Sequence, residues 1–259
     1  MITIFTVPRP FIGHFNVIQR NAVESWKRLR PEPEILLFGE GEEGAAQAAA
    51  DLKVPIFPVA RSDERGRPLI TDALHQAQKM ARHDILCMAN ADNIYMSDLP
   101  PAIQFIASQF EQFLIIGQRW NLKVTEILEF QDGWEEDLRR RALAQDDVEH
   151  PGAVDYLIWR GDFYHNLPPL AVGQKGYDWL LVWLANQAEV PTVDATQAVM
   201  VIHQDHPPTF QTEEMVLNDQ LIIERYGDGV RGGTTQSRYR LFLDHLLDRH
   251  EERRIPWKR

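Results

Sequence analysis

Positive charge is scarce in this 259-residue chain: 27 lysines and arginines face 38 aspartates and glutamates, for a formal net charge of −11. A broad nucleic-acid surface needs a basic face, so nucleic acid is not expected as a partner. An anionic small molecule fits only if a metal ion or local arginines offset the field. Cysteine is almost missing: Cys87 alone, in an apolar run, forms no internal disulfide, which fits a reducing, cytoplasmic location. Long hydrophobic runs are missing too, and none approaches the ~20 residues that span a bilayer. The opening MITIFTVPRPF lacks a basic leader followed by a long apolar core, so a first strand is expected there rather than a signal peptide. No internal repeat and no low-complexity tract is visible. What is present, 44% hydrophobic and 25% charged residues, supplies core material for one large α/β domain or two small ones.

Hydrophobic spacing gives the order of elements. Ile2–Val7 alternates around β-branched residues and ends in Pro8-Arg9-Pro10, a strand running into a loop. Phe15, Ile18, Ala22, Trp26 and Leu29 recur at helical spacing and stop at Pro31. Glu34–Phe38 reads as a strand ending at Gly39-Glu40, Gly44–Leu52 as a helix, and Val54–Val59 as an edge strand because of its prolines. Leu69–Ala81 is helical and Asp84–Ala89 is the next strand. This β-α-β-α-β-α-β order predicts an α/β fold with a mostly parallel, Rossmann-like sheet, helices on both faces and ligands beyond the strands' carboxyl ends. The second half reads as strands at Gln112–Gly117, Ala153–Trp159 and Ala198–Ile202, with helices at Trp134–Leu143, Tyr177–Gln187 and Glu213–Tyr226. GDGVRGG, residues 227–233, then reads as a flexible link to an α-helical C-terminal extension at Arg238–His250.

Three polar loops fall on the carboxyl edge: Thr6-Val7-Pro8, Gly39-Glu40 and Asn90-Ala91-Asp92. The last is either an Asx turn before the helix that follows Asp98, or a strand end that delivers a carboxylate to a metal. His203-Gln204-Asp205-His206 also ends an apolar run; such a cluster ligates a divalent ion or is merely a solvated loop. Asp92 with one or both imidazoles, water and phosphate oxygens would complete a six-coordinate Mg2+ or Mn2+ site, whereas zinc lacks its usual Cys/His framework. Arg65 and Arg67, flanking Gly66, and Arg119, at the end of QFLIIGQRW, are either surface charges or guanidinium forks for phosphate. Asp155 and Asp178 lie among aromatics. Asp178, at a helix start, is either a carboxylate stabilised by the helix dipole or a general base in a partly desolvated pocket. Trp120, Tyr156, Tyr177 and Trp179 are either core or platforms for a sugar face.

Taken in order, FTVPRPF, SWKRLRPEPEILLFGE, RGRPLITDAL, MANADNIY, LIIGQRWNL, VDYLIWRGDFY, GQKGYDWLLVWLA and VIHQDH resemble the GT-A class of nucleotide-sugar-dependent glycosyltransferases. More narrowly they are similar to a group of plant and bacterial glycosyltransferase-like proteins. The pieces reach to about His206. The resemblance implies a GT-A-like domain over residues 1–226, with a nucleotide-sugar half (1–111) and an acceptor half (112–226), before the linker and helix of 227–259. It implies that Thr6, Val7, Pro8, Arg9 and Glu40 embrace the nucleotide and that Arg65 and Asp72 lie near base and ribose. The Asp-x-Asp motif of the class falls on Asn90-Ala91-Asp92, with Asp92 as metal ligand. The later histidine ligand falls on His203, with His206 as its rival, and the acceptor-side base of inverting members on Asp178. Asn90 departs from the pattern, since an amide can bind a ribose hydroxyl but brings no charge to a metal.

The implied activity is a hexosyltransferase-type glycosyl transfer from a UDP- or GDP-sugar to a carbohydrate or other hydroxyl acceptor, assisted by Mn2+ or Mg2+. Arg65, Arg67 or Arg119 would share the diphosphate charge, and Asp178 or Asp155 would act as base. A sugar-nucleotidyltransferase would want a glycine-rich, lysine-bearing loop after the first strand, and VPRPFIGHF is a poor match. A non-catalytic nucleotide- or carbohydrate-binding protein is the alternative that Asn90 favours. The basic tail RHEERRIPWKR, with its tryptophan, reads either as a solvated helix end or as a membrane-surface contact.

Overall fold

The computed structural model describes residues 1–59, 61–207, 217–243 and 245–252. The first half of the chain forms β1 (Thr3–Thr6), α1 (Gly13–Lys27), β2 (Glu34–Phe38), α2 (Ala45–Leu52), β3 (Ile56–Phe57), α3 (Ile70–Met80), β4 (Ile85–Ala89), β5 (Asn93–Ile94) and α4 (Leu99–Gln109). The second half continues with β6 (Phe113–Ile116), β7 (Arg119–Leu122), α5 (Trp134–Gln145), β8 (Tyr156–Arg160), α6 (Tyr177–Gln187), β9 (Thr192–Asp194) and β10 (Val201–Gln204). It closes with α7 (Leu217–Tyr226), β11 (Tyr239–Leu241), β12 (Leu246–Asp248) and α8 (Arg249–Glu252).

Among the described residues, nine strands form the central sheet in the order β12-β11-β9-β6-β8-β4-β1-β2-β3. Pairing is mostly parallel, with β8 running antiparallel between β4 and β6. Alternation along each strand divides the core in two. Ile4, Leu37, Cys87 and Ile115 face one side, where Ala22 and Trp26 of α1 and Ile103 and Ile106 of α4 cover them. Phe5, Leu36, Met88 and Leu114 face the other, under Leu74 and Ala77 of α3 and Leu180 and Leu181 of α6. Burial pushes the Cys87 thiol up to about 12, so this cysteine is a core side chain rather than a nucleophile.

The crossovers decide where a ligand fits. From β1 the chain moves outward through β2 to β3, then returns to place β4 on the other flank of β1. The order therefore reverses between β1 and β4, and the carboxyl ends of those strands open a crevice. A second, small sheet, β5-β10-β7, stands beside it and brings β10 against the turn that follows β4.

The C-terminal helix expected at Arg238–His250 is not formed. β11 pairs in parallel with β9 (Tyr239↔Val193), and β12 returns antiparallel to β11 (Tyr239↔Asp248), leaving only a short α8. LFLDHLL satisfies both the helical and the two-residue period, and the free edge of β9 decides by offering unpaired backbone groups. Residues 227–233 do not hang as a free link either: Val230 is buried, and a side chain at Gly232 would collide with the Trp179 backbone. The strand expected at Ala198–Ile202 begins and ends later, at Val201–Gln204, and β9 was missed because three residues carry too little period. Residues 213–216 of the helix expected before Tyr226, and the tail from residue 253 with its membrane-contact reading, lie outside the described residues.

One core contact gives a direct test. Tyr156 has no exposure, burial raises its pKa, and its hydroxyl has no hydrogen-bond partner among the described residues. A Cβ at Gly117 would collide with that hydroxyl and lie 2.8 Å from the ring carbon bearing it. An unpaired buried hydroxyl costs about 1–3 kcal/mol. Tyr156→Phe is therefore expected to leave the melting temperature equal or higher, Gly117→Ala to lower it, and the double variant to recover part of the loss. A drop of several degrees in Tyr156→Phe alone would show that the hydroxyl is paired.

Candidate functional site

β4 runs apolar to Ala89 and stops because Asn90 turns: its amide donates to the Asp155 carbonyl (3.1 Å) and its carbonyl accepts from the Asn93 amide (3.2 Å). Asp92 rides in that turn. β10 pairs antiparallel with β5, setting His203 opposite Asn93, so the second sheet carries an imidazole to the same spot. His206 follows one turn of loop later. Its Nε2 lies 3.1 Å from Asp92 Oδ2, and His203 Nε2 lies 3.7 Å from the same oxygen. The three ligand atoms can all lie within 4.8 Å of one another.

The electrostatics match the geometry. Burial alone would raise the Asp92 pKa, but the His206 hydrogen bond and the charges of His203, His206 and Arg119 outweigh it, and the net shift is downward. The hydrogen bond that His206 donates to the Asp92 carboxylate outweighs burial and raises the His206 pKa. His206 Nδ1 donates to the Pro207 carbonyl (3.0 Å) and Nε2–H to Asp92, so a bound cation would take the place of the Nε2 proton. Asp92 Oδ1 is buried with no partner among the described residues. An ionised carboxylate oxygen left in that state, beside two imidazoles, is a donor set that fits a divalent cation.

This cluster forms one wall of a cavity of about 460 Å3 over the ends of β1 and β4. The cavity gathers Thr6, Val7, Arg9, Asn90, Ala91, Asp92, Arg119, Tyr177, His203 and His206 from the residues singled out in the sequence. Tyr177 Oη donates toward Asn90 Oδ1 at 3.4 Å. Arg119 forms ion pairs with Asp155 and with Glu149 (3.2 Å), so its charge is already shared.

Other expected residues are not brought to the cavity. Pro8 is buried behind it, Glu40 is exposed beyond β2, and Arg65 lies in an exposed turn whose backbone is held by the Asp63 carboxylate. Asp72 is ion-paired with Arg61 (2.7 Å). Trp120 packs on the small apolar cluster under α5, Trp179 donates to the Gly152 carbonyl (2.7 Å), and Tyr156 is core. Asp155 serves Arg119. Asp178, in the first turn of α6, is half-buried just behind Tyr177. Burial, helped by the Asp155 charge, raises its pKa to about 7 against backbone hydrogen bonds from Trp179, Asp178 and Val154.

Sequence reasoning missed Phe15, Gln19, Gln174 and Lys175, which also line the cavity. Gln19 clamps the loop after β1, accepting from the Arg9 amide (2.7 Å) and donating to its carbonyl (3.0 Å). The available signal was a glutamine on the buried face of an amphipathic helix, next to Ile18 and Ala22.

Neither a scan against protein-family models nor a search of curated proteins gives a match. Solved structures do match in shape. Glucosyl-3-phosphoglycerate synthase from Mycobacterium tuberculosis, in complex with Mn2+, UDP and glucosyl-3-phosphoglycerate, aligns with TM-score 0.50 and 15% identity over 88% of this chain and 80% of that one. A mycobacterial protein aligns with TM-score 0.51 and 14% identity over 87% and 74%. S. aureus TarS 1-349 matches only in part, with TM-score 0.39, 7% identity, and 49% of this chain against 38% of that one. The chain thus spans well under two thirds of TarS. At such identities the likeness is one of fold, and the fold is GT-A: a mixed α/β chain around a mostly parallel central sheet. No helix among the described residues is long and apolar enough to cross a membrane.

Proposed function

We propose that this protein is a glycosyltransferase that moves a sugar from a nucleoside diphosphate donor to an acceptor hydroxyl. The observation that carries the reading is the Asp92–His203–His206 cluster in the wall of a cavity at the β1/β4 reversal. It is supported by the fold shared with a glucosyl-3-phosphoglycerate synthase solved with UDP and Mn2+. In this reading residues 1–111 bind a UDP- or GDP-sugar, with Thr6, Val7 and Arg9 against the nucleotide, and residues 112–226 shape the acceptor side.

Asp92, His203 and His206 would hold the divalent ion. Two imidazole nitrogens favour Mn2+ over Mg2+, which prefers oxygen ligands throughout. Bound there, the ion supplies Lewis-acid stabilisation of the diphosphate leaving group. Arg9 adds positive charge on the same side, which an acidic protein needs to hold a diphosphate. Asn90, whose oxygen accepts from Tyr177, lines the cavity, and its NH2 would donate to a ligand oxygen there. Asp178 does not line the cavity but adjoins its Tyr177 wall on α6, and is assigned as base for an acceptor bound beyond that wall. It takes the proton of the acceptor hydroxyl as the acceptor oxygen bonds to the anomeric carbon, while the bond to the diphosphate oxygen breaks and the nucleoside diphosphate departs with the electron pair. That course inverts the anomeric centre.

The deciding experiment incubates the protein with Mn2+ and a panel of UDP- and GDP-sugars and measures released nucleoside diphosphate. Release from at least one donor, abolished by EDTA and restored by Mn2+, is expected. A companion thermal shift with Mn2+ and UDP or GDP should raise the melting temperature, because a ligand that binds only the folded state stabilises it. A thermal shift without any turnover would favour the non-catalytic binder, the reading to which Asn90 in place of an acid gives weight.

A further inference from the structure

Gln204 is fully buried on β10, between His203 and Asp205, in a strand otherwise made of Val201, Ile202 and His203. A plain core position would be filled at lower cost by an apolar side chain, because a buried amide must find a partner for every donor and acceptor. Gln204 finds all of them. Nε2 donates to the Asp92 carbonyl (2.9 Å) and to the Ile18 carbonyl in α1 (2.7 Å). Oε1 accepts from Asn21 Nδ2 (2.9 Å), and the Gln204 backbone amide also approaches the Asp92 carbonyl (3.3 Å). Asn21, itself 1% exposed, completes the chain: Nδ2 also donates to the Glu126 carbonyl (2.9 Å), and Oδ1 accepts from the Leu128 amide (2.9 Å).

We infer that Gln204, with Asn21 behind it, is the positioning residue that holds the Asp92 turn in register with the two histidines. The inference rests on the reading of Asp92, His203 and His206 as metal ligands. Strand alternation explains the division of labour: consecutive residues on β10 point to opposite faces, so His203 looks toward the ligand site while Gln204 looks toward α1. One strand thus carries both a ligand and the clamp for the ligand from β4. Asp92 follows the end of β4, in a turn with no ladder partner of its own, and its carbonyl is held by Gln204 twice. Without that grip the carboxylate would be free to rotate away from His203 and His206. The relay also ties residues 126–128, a stretch outside any helix or strand, to the geometry of the site.

The test uses the full chain and reads Mn2+ affinity by electron paramagnetic resonance of the free ion, not turnover. Gln204→Met keeps length and burial but removes both donors and the acceptor. It is expected to weaken Mn2+ binding about 10- to 100-fold, the usual effect of removing a group that orients a metal ligand. Leu74→Ala, a core truncation on α3 away from the site, lowers stability without touching the relay and is expected to keep wild-type Mn2+ affinity. If Asp92→Ala loses Mn2+ while Gln204→Met keeps wild-type affinity, the positioning inference falls and the metal site stands. If wild type and Asp92→Ala bind Mn2+ equally, the metal-ligand reading falls and takes this inference with it. Should Gln204→Met not fold, hydrogen exchange on the wild-type protein decides: saturating Mn2+ is expected to slow exchange at the Leu128 amide several-fold through the relay. Unchanged exchange there overturns the inference.

Discussion

Asp92→Ala is expected to abolish measurable Mn2+ binding and to cut nucleotide-sugar turnover by about 10²- to 10³-fold, the range seen when a group that stabilises developing charge is removed. The size follows from what the residue supplies. It is the only carboxylate of the cluster, and Oδ2 serves both histidines while Oδ1 has no partner among the described residues. Two neutral imidazoles left alone would hold a hard cation weakly, because it prefers oxygen donors and charge. Asp92→Asn, which keeps the shape, should lose nearly as much, and that comparison separates charge from packing. Asn90→Asp is expected to act in the other direction, tightening Mn2+ binding by adding a second negative charge two residues away. Metal-dependent turnover that survives in Asp92→Ala would remove the residue from the mechanism.

This first expectation was within reach of the sequence because both halves of the cluster end apolar strands. What the spacing could not decide was which histidine pairs with Asp92. The structure brings both, since β5 sets His203 opposite Asn93 and the loop after β10 returns His206 to the same oxygen. β5 and β7 are too short and too polar to be read from periodicity, and they exist because β10 supplies a template between them. The roles expected of Arg65, Glu40 and Asp72 came from the family resemblance; in the structure Asp63 holds the backbone of the turn that carries Arg65, and Arg61 neutralises Asp72. Gln204 was visible only as a polar letter inside a metal-like cluster, and its function depends on α1, 186 residues away in sequence. Helices α1, α3 and α6, by contrast, appear close to where their apolar spacing placed them.

The second large effect is expected at Asp178. As a general base it must be ionised, and burial has raised its pKa to about 7. The wild-type kcat/KM should therefore rise with pH, reach half its plateau near pH 7 and level off above it. Asp178→Asn should lower kcat by about 10²- to 10⁴-fold, the usual worth of a positioned proton acceptor, and should flatten that limb of the profile. Stability should move the opposite way. A carboxyl whose folded pKa lies above its unfolded one stabilises the protein below the unfolded value, and that contribution is lost as pH rises through about 7. Each pH unit in that window costs at most about 1.4 kcal/mol, less because the group is only half-buried. Asp178→Asn escapes this penalty, so its melting temperature should match or fall below wild type near pH 4 and exceed it above pH 7. A variant equally active at every pH would clear Asp178 of the base role; one that is inactive but shows no pH-dependent gain in stability would show that the carboxylate is solvated rather than held in the raised state behind Tyr177.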